Sequence, residues 1–130
     1  MCFDFVQDGE TIKQMFNNDF SLDGAELESF GFYDVSKIWL RFATKKIPKT
    51  VPDEWKMQKF NGISIVLTLS NIKKLSFQGR RVELDCSPII NKVDDGVIIT
   101  IEHKNEFYLV CIAEVIDIES IEPYIDIRWR

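Results

Sequence analysis

The sequence predicts a mainly β fold: an antiparallel β-sandwich or partly open barrel of about seven to nine strands with one N-terminal helix. Three observations predict it. Apolar residues recur with period two through most of the chain, as they do on half-buried strands. Turn signals such as Asp95-Gly96 return about every ten residues. No helical segment separates the later strands, so the crossovers that a parallel sheet requires have no source. At 130 residues the chain is one domain's worth, with the helix at about 9–18 and the sheet at about 24–130.

Asp8 can cap the helix, whose stripe is Ile12, Met15 and Phe16, extended by Phe20. The period then switches to two. Ala25, Leu27 and Ser29 alternate with Glu26, Glu28 and Phe30; "GFYD" is expected to turn; Ile38, Leu40 and Phe42 oppose Trp39 and Arg41 in a returning strand. Pro48 and Pro52 remove two amide donors, so the following segment cannot prolong that ladder and is expected to cross between strands. Trp55 offers this loop an apolar anchor, and Asn61-Gly62 permits a bend where the next strand begins. That strand carries Ile63, Ile65, Leu67 and Leu69 on one face, before "SNIKKL" bends into a short strand around Leu75-Ser76-Phe77. Val82, Leu84 and Cys86 alternate with Glu83, Asp85 and Ser87 until Pro88 limits pairing; Val97, Ile99, Ile101 and His103 form the next apolar face. Phe107 to Ile118 is apolar on both faces, as a central strand should be, and Ile125, Ile127 and Trp129 close the chain.

Composition excludes more than it selects. The hydrophobic fraction of 45% and charged fraction of 28% are ordinary for a folded protein, and no run of about 18 apolar residues could span a membrane. "MCFDFVQDGETIKQMF" lacks the basic start and apolar run of a signal peptide, so a cytoplasmic location is expected. Cys2, Cys86 and Cys111 are an odd number without CxxC spacing, and His103 is the sole histidine. Buried reduced thiols are expected, and neither a metal nor a cofactor.

Charge is more informative. Residues 1–36 carry a net −7, residues 37–81 a net +9 and residues 82–126 a net −9. One reading is that acidic and basic strands pair across the sheet. The functional reading is that Glu83, Asp85, Asp94, Asp95, Glu102 and Glu106 form a surface that steers a basic partner. Nucleic acid is not expected as a partner, because phosphates require clustered cations; Lys45, Lys46 and Lys49 read as a solvated loop. Catalysis would need His103 or a carboxylate pair such as Glu26/Glu28 or Glu83/Asp85 to converge on one pocket. No nucleophile elbow, phosphate loop or HExxH motif is present.

Three segments, "PKTVPDEW…FNGISIVLTLSNIKKLSFQG" (Pro48 to Gly79), "SLDGAELESF" ahead of "IWLRF", and "FYLVCIAEVIDIESIEPY" (Phe107 to Tyr124), carry a further signal. Together they resemble the immunity protein 50 family of bacterial polymorphic-toxin systems. The family's first hairpin often opens with a His-Asp pair where this chain has Leu22-Asp23, so no role of that histidine transfers. The resemblance implies a non-catalytic binder that neutralises a cognate toxin domain, and the acidic candidate surface suits a basic one, such as a nuclease domain. A different class of function, a β-barrel binding a small apolar ligand, is compatible with the inward-facing Ile and Phe positions.

Overall fold

The structure, a computed structural model, describes residues 22, 24–47, 51, 53–57, 59–79, 84–104 and 106–125. The expected helix at 9–18, Glu83, Pro48 and Pro52 lie outside the described residues. Seven strands follow in order: β1 Ala25–Asp34, β2 Lys37–Thr44, β3 Gly62–Gly79, β4 Leu84–Cys86, β5 Ile89–Val93, β6 Gly96–His103 and β7 Phe107–Tyr124. They form one open antiparallel sheet in the order β4-β1-β2-β3-β7-β6-β5.

The long β3–β7 ribbon organises the sheet. On one half, β2 pairs with β3 only as far as Ser70. On the other, β6 pairs with β7 only from Ala113, the partner of Ile72. Between these halves β3 bends: Asn71 adopts a left-handed φ of 53°, and the register shifts between Ile72 and Lys74. The bend lets the two halves face each other, and Phe30 of β1 meets Phe77 and Phe107 of the other half at 5.3 and 6.1 Å, edge to face.

Strict alternation fills the interior. Ile38, Leu40 and Phe42 of β2 join Ile63, Ile65, Leu67 and Leu69 of β3, Ile99 and Ile101 of β6, and Leu109 and Cys111 of β7, all fully buried. Cys86 and Cys111 are free thiols in this core, and burial pushes them up to about 12 and about 11, so both stay protonated at neutral pH.

Several local expectations are corrected. "GFYD" does not turn; it completes β1, and the turn falls at Val35-Ser36, where Asp34 accepts hydrogen bonds from the Ser36 amide at 2.8 Å and hydroxyl at 3.0 Å. The alternation expected through Ser29 breaks at a bulge, with Leu27 opposite Phe42 but Ser29 opposite Arg41, and this turns Phe30 inward. The segment around Leu75 is not a separate strand but the continuation of β3 past its bend. The loop after β2 does not cross the sheet, because β2 and β3 are hydrogen-bonded neighbours with Thr44 opposite Ile63. It returns through a short 3-10 helix, Asp53–Trp55, that buries Trp55 edge to face with Phe60 at 5.8 Å. Asn61 then donates its amide to the Tyr124 carbonyl at 3.0 Å and starts the β3–β7 pairing.

Candidate functional site

β4 and β5 sit at opposite ends of the strand order, yet only Ser87 and Pro88 separate them in the chain. Across this link Asp85, Ser87 and Ile89 are exposed while Cys86, Pro88 and Ile90 are buried, so the alternation is unbroken. Residues 84–93 therefore run as one extended segment that pairs first with β1 and then with β6. Pro88, which has no amide hydrogen to offer a ladder, occupies the point of transfer.

At this seam lies a groove of about 620 Å³, bordered by Asp85, Ser87, Ile89, Thr100, Glu102 and His103. His103 ties its walls together: Nδ1 lies 2.6 Å from the Asp85 carbonyl, joining the end of β6 to β4. With Nδ1–H donating to that carbonyl, Nε2 points toward Glu106, 3.7 Å away, where a protonated ring would form an ion pair. Asp85 also pairs in register with Glu26 of β1, which is buried. The seam thus brings Asp85, Glu102, His103 and Lys104 to one groove, with Glu106 beside the His103 ring and Glu26 opposite Asp85 on β1.

The sequence-derived acidic set divides in two. Asp85 and Glu102 border the groove with His103, and Glu106 lies beside the His103 ring. Asp94 and Asp95 form the exposed β5–β6 turn at the opposite end of β6, roughly 24 Å along the strand from Glu102. There Lys73 of β3 donates to the Asp95 carbonyl at 2.7 Å and fixes the turn beside the β3 bend. Gly96 follows, so close to β7 that a Cβ would lie 2.1 Å from the Ala113 carbonyl oxygen. Among the carboxylates considered for catalysis, Glu26 stands opposite Asp85 in the β1–β4 ladder, whereas Glu28 accepts a hydrogen bond from Tyr124 at 3.0 Å. Among the described residues, no group of three or more His, Cys, Asp or Glu side chains is gathered as for a metal ion.

Sequence reasoning missed a second polar arrangement, on the face of the sheet opposite the core. Thr68 alternates with the core residues Leu67 and Leu69; Glu119, at a β7 bulge, accepts from Thr68 at 3.3 Å and from the Tyr33 hydroxyl. That bond holds the Tyr33 hydroxyl above its ordinary pKa. Tyr33–Glu119 and Tyr124–Glu28 both join β1 to β7 over the two strands between them. Between the bridges, Trp39 covers Gly31, whose Cβ would sit 2.8 Å from the ring, and Arg41 lies 5.8 Å from the same ring. A glycine inside a strand opposite an aromatic residue was the available signal.

No curated protein and no solved structure matches the chain. The family model described as Immunity protein 50 does, over residues 8–124, and on that match the chain belongs to the immunity protein 50 family.

Proposed function

We propose that the protein is a cytoplasmic immunity protein that neutralises a cognate bacterial toxin domain by binding it stoichiometrically, without catalysis. Family membership carries the reading. The seam supports it, because Asp85 and Glu102 border a groove, with Glu106 beside the His103 ring, in an acidic setting suited to Lys or Arg side chains of a basic partner, such as a nuclease domain. The open sheet, whose end strands β4 and β5 are linked by two residues, gives these carboxylates a fixed backbone. Its inward side chains pack into one apolar cluster, which favours a filled core over a cavity for a small ligand.

Growth rescue tests the function. The chain is co-expressed with the toxic C-terminal domain encoded immediately upstream of it, and surviving cells are counted. Rescue supports immunity; killing in the presence of folded, expressed protein refutes it for that toxin. A triple Asp85→Asn, Glu102→Gln, Glu106→Gln variant should lose rescue and bind at least tenfold more weakly, mainly through faster dissociation. Undiminished binding by this variant would place the interface elsewhere.

A further inference from the structure

We infer that the outer edge of β5 is a docking strand, on which an extended basic segment of the partner adds as a further strand of the sheet. The inference rests on the immunity reading for the partner's identity, but its geometry stands on the edge itself.

Among the described residues β5 pairs with β6 alone and closes one end of the strand order. The two-residue turn Asp94-Asp95 makes Val93 and Gly96 a hydrogen-bonded pair, as it does Asn91 with Ile98 and Ile89 with Thr100. The intervening residues, Ile90 and Lys92, therefore direct their backbone N–H and C=O groups away from β6. Ile89 is 57% exposed and Asn91 and Lys92 are exposed, so side chains do not cover this stretch. With Ser87 engaged by the Gly24 amide at 3.3 Å, Ile89 to Val93 offers roughly 17 Å of edge, enough for about five residues of a partner strand.

Charge selects the occupant. Asp85 stands at one end of this edge and Asp94 with Asp95 at the other, with Lys92 the single cation between them. A second copy of this chain, added antiparallel about a two-fold axis, would set the Asp94-Asp95 turn of each copy beside Asp85 of the other. Those contacts repel. An extended segment with Lys or Arg near both ends meets carboxylates at both ends instead, while its apolar residues pack beside Ile89.

The direct test is backbone amide exchange in the isotopically labelled full chain, with and without a capped hexapeptide alternating arginine and valine. Exchange at Ile90 and Lys92 should slow at least tenfold at saturation, and the same peptide with glutamate for arginine should bind at least tenfold more weakly. Unchanged exchange at Ile90 and Lys92, whether the peptide binds elsewhere or not at all, overturns the proposal. A parallel experiment uses the upstream toxin domain. Lys92→Pro removes an outward amide and should reduce toxin affinity at least tenfold while circular dichroism stays unchanged. If the parent rescues growth and the folded variant binds equally well, the docking strand is refuted and immunity stands. If the parent fails to rescue, the immunity reading falls for that toxin and the peptide measurement still decides the edge.

Discussion

Two of the strand stretches with a single described neighbour are treated differently. The second half of β3, from Ile72 to Gly79, pairs only with β7, and it carries the devices that discourage strand addition: a register shift at Ile72/Lys74, the exposed Lys73 and Lys74, and a left-handed Asn71 just before it. β5 is flat by comparison, with no register shift against β6, one lysine and an exposed Ile89. Guarding one edge costs little, because a lysine on an exposed strand forfeits little burial. Leaving the other unguarded invites association, so the contrast marks β5 as the edge with a partner.

The comparison breaks most completely if β5 is detached from the sheet. Gly96 starts β6 against the Ala113 carbonyl oxygen, and backbone cannot yield as a side-chain tip does. Gly96→Val should cost about 3 kcal/mol or more, read as a lower denaturant midpoint, and should abolish partner binding with the β5–β6 hairpin. Retained stability would mean that the close approach relaxes freely.

Next in size is a contrast within β3. Leu67 is fully buried between β2 and β7, whereas Leu75 is half-buried on the edge half. Leu67→Ala should cost about 2–5 kcal/mol and Leu75→Ala under about 1.5 kcal/mol, by equilibrium denaturation. Equal losses would mean that the edge half is as much a part of the core as the central half.

These residues also show what the sequence could reveal. Period-two alternation at Ile63–Leu69 and Val97–His103 identified strands because burial of one face leaves a local imprint. The bend at Asn71 was visible as a turn signal, but its continuity with β3 was not, since a left-handed residue plus a register shift preserves pairing that a propensity argument ends. The seam left still less trace. Asp85 reaches His103 only because residues 84–93 change partners from β1 to β6, and Glu26 meets Asp85 across 58 intervening positions. No local pattern encodes such a meeting. The acidic character of the set was legible; its division between the seam and the β5–β6 turn was not, since it depends on the length of β6.

Removing the guard is a smaller perturbation. Lys73→Ala with Lys74→Ala should change folding stability by less than about 1 kcal/mol, including loss of the Lys73 bond to the Asp95 carbonyl. It should nevertheless produce concentration-dependent association by light scattering, as an exposed ladder loses its charges. A variant that stays monomeric would show that the register shift alone protects this edge.

The smallest effect concerns the turn that anchors the guarded edge. The Ser36 carbonyl accepts from the Ile72 amide at 3.0 Å, while the Ser36 amide and hydroxyl both donate to Asp34. Those two bonds, the backbone one foremost, hold the Asp34 carboxyl below its ordinary 3.8. A carboxylate with a depressed folded-state pKa stabilises the fold fully above its unfolded pKa and ceases to do so as the pH falls through the lower folded value. The turn should therefore weaken only below about pH 4, well outside the neutral range. Ser36→Ala keeps the amide but removes the hydroxyl, so the Asp34 pKa, followed by side-chain NMR titration, should rise part of the way back. A full return would mean that the amide bond does not form without the hydroxyl, and the anchoring of β3 at Ile72 would then loosen as well.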